Sequence, residues 1–243
     1  MAATVEAPKG SQRAGDYVVS VEDVKGIHRD VMGVLPGLVV VGVNSIKLAA
    51  RSKGVPEPRR ETHDVDFYFP AQMTQKRIAQ LGNIDFRPYK KSGPDAFDSQ
   101  DNINFFKMKR GGREHLVDIL QLGAFDCDID VPGYKLRLQN TQDYIMQGSE
   151  VIEGVAIPSM EFVVLIKTAA HINRHLAPGP DVKPSTKHGA DIRFILTEIL
   201  NVTPDEFVKR NYGKLIRHIA KDRESVETIK RVLKSIFEET QEM

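Results

Sequence analysis

One cysteine, Cys127, stands in 243 residues, so no internal disulfide can form, and a reducing compartment is the simplest setting. No apolar run reaches membrane length: the longest, Leu38 to Val43, is strand-sized. The first fifteen residues are small and polar, without the apolar core of a signal peptide, and read as a loose tail. Excess charge is missing as well. The 34 Lys and Arg against 33 Asp and Glu leave a net charge of +1, which argues against bulk DNA or an anionic membrane as partner. No G-x-x-x-x-G-K-[ST] phosphate loop occurs, and no internal repeat. With 41% hydrophobic and 28% charged residues, the chain is expected to be globular, cytoplasmic and able to bury a sizeable core.

Patterning divides the chain in two. Val21 to Leu35 has helical spacing, with Ser20 as cap and Asp23 three residues on. Leu38 to Val41 reads as a short buried strand ended by Gly42, and Asn44 to Ser52 as a helix. Asp64, Asp66 and Tyr68 alternate with Val65, Phe67 and Phe69, a half-buried strand. A helix is expected over Gln72 to Leu81, a strand over Ile84 to Tyr89 and a polar connection over 90–102. Ile103 to Lys109 and Glu114 to Leu120 flank Gly111-Gly112, the signature of a tight hairpin. Asp126 to Asp130 reads as a turn, with strands near Tyr134 to Leu138 and Val151 to Ile157. From Pro158 the pattern is helical: Met160 to Leu176 behind Ser159, Lys187 to Leu200, a start at Thr203-Pro204, and Ser225 to Glu239. The fold class is therefore α/β (α+β), a mixed-sheet core over 16–157 followed by an all-helical domain over 158–243, after a tail at 1–15.

The acidic residues carry the chemistry. Asp64 and Asp66 lie about 6–7 Å apart on one strand face. Their mutual repulsion is relieved if a cation sits between them, and hard oxygen ligands suit Mg²⁺. Asp118 interrupts the apolar run His115 to Leu120, where an aspartate is a poor strand residue. If that strand pairs beside the first, three carboxylates converge, enough to hold two metals about 3.5–4 Å apart. A D-x-D pair by itself is more often a solvated strand face.

Leu38-Val39-Val40-Val41-Gly42, a short helix, an arginine-rich loop and then Arg60-Glu61-Thr62-His63-Asp64-Val65-Asp66-Phe67 resemble the signature of the DNA polymerase β-like nucleotidyltransferases. The Arg-x-Thr-x-Asp-x-Asp form is similar to the AbiEii-type, toxin-like members. Lys167 to Arg174 and Lys187-His188-Gly189-Ala190-Asp191 resemble two helical motifs of that family, K-x-x-A-x-x-x-R and K-D-x-x-D. The resemblance implies a mixed-sheet nucleotidyltransferase core. Asp64, Asp66 and Asp118 would act as metal ligands and catalytic groups for Mg²⁺, or Mn²⁺ in its place. Gly42, Asn44, Ser45, Lys167, Arg174, Lys187 and Asp191 would line the nucleotide, with a nucleoside triphosphate as substrate and an unidentified acceptor (RNA, protein or a small molecule). Two positions depart from the pattern: Val43 replaces the usual second small residue of the turn, and His188 replaces an aspartate. Both point to an alternative, a non-catalytic nucleotide- or protein-binding member of the same fold. A further alternative is a metal-dependent phosphohydrolase built on His171, His175 and Asp191, since His171 and His175 have a spacing that can bind zinc. The basic loop Arg51 to Arg60 reads as solvated charge or an RNA or protein contact. Cys127, between two acids, is expected to be inert.

Overall fold

Ser20 accepts from Asp23 N at 3.1 Å, and the Asp23 carboxylate accepts from Ser20 N at 3.1 Å, so α1 (Val21–Met32) starts with a complete capping box. The computed structural model describes residues 18–88, 103–178, 184–218 and 222–238. The tail at 1–15 and the connection expected over 90–102 lie outside them. After α1 come β1 (Val39–Val40), α2 (Gly42–Lys53), β2 (Asp64–Tyr68), α3 (Gln75–Gly82) and β3 (Phe86–Pro88). The hairpin follows as β4 (Ile103–Arg110) and β5 (Arg113–Leu120). Its turn residues Gly111 and Gly112 have φ of 56° and 77°, the double positive φ that makes paired glycines the expected choice.

These five strands form one mixed sheet in the order β1-β2-β5-β4-β3. Only β2 and β5 run parallel; the other pairs are antiparallel. Val65 and Phe67 of β2 and Val117 and Ile119 of β5 are fully buried on one face. There α1 covers them, with His28 6.1 Å from Phe67 between ring centroids. Each such aliphatic or aromatic side chain contributes roughly 1.5–3 kcal/mol by leaving water. The other face carries the aspartates.

Two small hairpins follow the sheet. β6 (Cys127–Val131) pairs antiparallel with β7 (Tyr134–Leu138), and β8 (Glu150–Ile152) with β9 (Val155–Ile157), with α4 (Thr141–Gly148) between the hairpins. The turn expected over Asp126 to Asp130 is thus, from Cys127 on, a strand. Asp128 and Asp130 point outward, opposite Arg137 and Lys135, and Asp128 is ion-paired with Arg137, while Ile129 is buried.

The remainder of the described chain is helical: α5 (Met160–His171), α6 (Lys187–Phe194), α7 (Pro204–His218) and α8 (Arg223–Glu238). α5 and α6 each widen at their C-terminal ends into one π-helical turn, Ile172–Leu176 and Ile195–Ile199. α5 is not a surface helix with one apolar stripe. Nine of its residues are buried, Lys167 among them. One hydrophobic cluster runs from Val19 through the sheet to Ile236 of α8. No helix among the described residues is long and apolar enough to cross a membrane.

Candidate active site

Parallel pairing of β2 with β5 sets Asp66 directly beside Asp118. Asp64 is two residues back on the same face. Ligand oxygens of all three lie within 4.8 Å of one another, the only group of three or more metal-ligating side chains so placed among the described residues. Asp118 is 7% exposed and its two companions are half-buried. Three carboxylates at this separation repel strongly in a partly desolvated cleft. An all-oxygen donor set of this kind fits Mg²⁺ or Mn²⁺.

The neighbouring groups hold this arrangement. Thr62 Oγ1 donates to Asp64 Oδ1 at 2.8 Å, fixing that carboxylate's rotamer. Val41 N donates to Asp66 O at 2.9 Å, leading the chain from β1 into α2 alongside β2. Gly42, at φ 68°, passes so near Asp66 that an added Cβ would sit 2.1 Å from Asp66 Oδ2. Only glycine fits this place, on both conformation and space. The N-cap residue of α2, Val41, makes no side-chain cap and the first turn has no acidic residue, so the positive end of this helix begins at Gly42, beside Asp66.

Asn44 and Ser45 are fully buried, and their side chains serve the protein. Asn44 Nδ2 donates to Asp64 O at 3.2 Å and Ser45 Oγ to Gly42 O at 2.8 Å. Asn44 Oδ1 is buried and accepts no hydrogen bond. Val43 is buried, 2% exposed.

A cationic group lies at the junction of α5 and α6. Lys167 Nζ donates to Asp191 Oδ2 at 2.6 Å, and both side chains are buried. Arg60, four residues ahead of Asp64, also donates to Asp191 Oδ2. One carboxylate therefore ties the lead-in to β2 to both helices. Ser185 N donates to Arg174 O at 2.8 Å, which brings the π turn of α5 against the start of α6. His188 sits among these groups. Burial, then the charges of Lys167, Lys187, Arg60 and Arg174, push its pKa down to about 2, so the ring is neutral. The structure thus gathers Lys167, Arg174, Lys187 and Asp191 and adds Arg60.

The His171 and His175 rings lie 4.8 Å apart between centroids, tilted by 36°, and no acid joins them in a three-ligand cluster among the described residues. Asp191 is committed to Lys167 and Arg60 instead. Burial and the neighbouring His175 lower the His171 pKa to about 4. Cys127 is half-buried; burial first, then Asp126 and Asp128, raise its pKa to about 11, the state of an unreactive thiol. Arg51 of the basic loop is paired with Glu57 and Glu22. Thr62 and Arg60 are the side chains in contact with Asp64 and Asp191 that sequence reasoning left without a role. Both stood in the Arg-x-Thr-x-Asp-x-Asp string, and only three-dimensional proximity shows what each one grips.

No family model matches the chain, and no curated protein matches it by sequence. Among solved structures, two from Helicobacter pylori align with 91% of this chain at 13% identity and a TM-score of 0.42. They are a candidate nucleotidyltransferase, 96% of which is covered, and JHP933, 94% of which is covered. The Megavirus polyadenylate synthase aligns with 82% of this chain and 37% of its own at 12% identity and a TM-score of 0.45. Similarities this distant carry no weight for function, which has to rest on the site itself.

Proposed function

We propose that this chain is a metal-dependent nucleotidyltransferase of the AbiEii-like kind, moving a nucleoside monophosphate from a nucleoside triphosphate to a hydroxyl acceptor. The observation that carries the reading is the meeting of Asp64, Asp66 and Asp118 within 4.8 Å, beside the uncapped start of α2. Asp64 and Asp66 would hold Mg²⁺ or Mn²⁺, with Asp118 completing the ligand set. The metal would supply charge neutralisation at the α-phosphoryl group. The residues do the rest. At the helix start the part-exposed backbone of Gly42 binds phosphate oxygens. Lys167, Arg174 and Lys187, with Arg60, hold the β- and γ-phosphates, and Asp191 orients Lys167 and Arg60. The acceptor oxygen attacks the α-phosphorus and its proton passes to Asp118. The bond from that phosphorus to the bridging oxygen breaks, and pyrophosphate leaves with the electron pair. The mixed-sheet half (16–157) supplies the acids and Arg60, and the helical half (158–243) Lys167, Arg174 and Lys187, with the site between them.

Calorimetric titration with non-hydrolysable ATP, CTP, GTP and UTP analogues, with and without Mg²⁺, tests the reading. Magnesium-dependent binding that disappears in the Asp64→Ala/Asp66→Ala variant is expected. Failure of all four analogues to bind would replace it with a non-catalytic, protein-binding role for the fold.

A further inference from the structure

His188 is the one residue of the cationic junction that departs from the resembled motif, where an aspartate is expected. Four cations act on its ring: Lys167 from α5, Arg174 from the π turn, Lys187 beside it on α6, and Arg60 from the lead-in to β2. Its Nδ1 is buried and receives no hydrogen bond. Two facts make the junction a constructed site and not a loose surface patch. Lys167 and Asp191 are buried and bonded at 2.6 Å, and Arg60 is bound to the same carboxylate oxygen. Gly189 completes it by its lack of a side chain: a Cβ there would lie 3.0 Å from His171 Cε1, so α5 and α6 close to ring-against-backbone contact just behind His188.

We infer that His188 is a specificity-determining residue that sets the charge of the polyphosphate pocket, leaving its four cations without the extra carboxylate an aspartate would bring and so favouring a triphosphate over shorter phosphates. The inference rests on the nucleotidyltransferase reading for the identity of the ligand. Its physical basis is additive electrostatics. A neutral imidazole offsets none of the surrounding positive charge, whereas a carboxylate at the same place would cancel one unit of it. Each phosphate added to a ligand feels that unit, so the discrimination grows with ligand charge. The site favours that neutrality: a protonated ring would be partly desolvated beside Lys167, Lys187, Arg60 and Arg174, of which Asp191 pairs Lys167 and Arg60. Replacement of the aspartate by histidine thus strengthens anion capture instead of disabling the pocket.

The test is metal-free calorimetric titration of the full chain with inorganic tripolyphosphate, pyrophosphate and phosphate, at pH 7.5 and several salt concentrations. Wild type, His188→Asn and His188→Asp are compared. Thermal melts confirm that each is folded, and Mn²⁺ binding to the acidic site is measured separately. Expected is an affinity order of tripolyphosphate over pyrophosphate over phosphate, kept within about twofold by His188→Asn. His188→Asp should lose about tenfold or more for tripolyphosphate, less for phosphate, and show a flatter salt dependence. Equal tripolyphosphate affinity in His188→Asp and wild type would overturn the inference, as would no polyphosphate binding by wild type. An equal loss in His188→Asn overturns it too, since the ring would then act through contact and not charge. Absence of Mn²⁺ binding counts against the nucleotidyltransferase reading alone.

Discussion

Gly42→Ala is the sharpest perturbation the acidic site offers, because two separate penalties meet at one position. Gly42 has φ 68°, and the new methyl would sit 2.1 Å from Asp66 Oδ2. The left-handed backbone costs a residue with a Cβ roughly 1–2 kcal/mol. A carbon–oxygen contact needs about 3.2 Å or more, so the carboxylate or the helix start must move by about 1 Å. Metal sites tolerate about 0.5 Å of misplacement before affinity suffers. The substitution is therefore expected to lower stability by about 2 kcal/mol and weaken Mn²⁺ binding at least tenfold. Gly54 provides the control. It has the same φ of 68° but nothing within 4 Å of its would-be Cβ. Gly54→Ala should show the stability loss in a denaturant melt and leave Mn²⁺ affinity, read by electron paramagnetic resonance of the free ion, unchanged. If Gly42→Ala binds Mn²⁺ as wild type does, Asp66 is not a ligand and the reasoning fails.

Two further perturbations address the supports of the site. Thr62→Val removes the 2.8 Å donation to Asp64 Oδ1 while keeping shape, and should cost about 1.5 kcal/mol of stability with a several-fold weaker Mn²⁺ affinity; an unchanged affinity would mean the rotamer of Asp64 is fixed by other contacts. His171 is 1% exposed and its pKa is lowered from 6.5 to about 4, so the unfolded chain takes up a proton that the folded chain refuses. Its contribution is fully present above pH 6.5 and fades as pH falls towards 4, by on the order of 3 kcal/mol at 1.36 kcal/mol per pH step. Urea melts across that range should show the decline in wild type and a smaller one in His171→Leu; parallel curves would place the acid sensitivity elsewhere.

Local order was legible in the sequence. The Ser20 cap, the strand at Asp64 to Tyr68 and the Gly111-Gly112 hairpin all come from nearest-neighbour chemistry: a side chain that reaches its own backbone, a period of two, a turn that needs positive φ. Failures came where a residue's preference was overruled by a partner distant in sequence. Asp126 to Asp130 reads as a turn in sequence, yet Cys127, Ile129 and Val131 alternate with Asp128 and Asp130, and Arg137 on the neighbouring strand pairs with Asp128. That Lys167 is buried was not legible locally either: Asp191, 24 residues away, makes a buried ammonium tolerable.

The sequence by itself determined which residues could bind a metal and that they sit on strands, since carboxylate chemistry and period-two alternation are both local. Only the tertiary structure decided that β5 lies parallel beside β2, so that Asp66 faces Asp118, and that Arg60, Lys167, Arg174 and Lys187 act on one neutral histidine. Strand neighbours and charge clusters are choices among long-range contacts, made by the packing of the whole core, and no short window of residues encodes them.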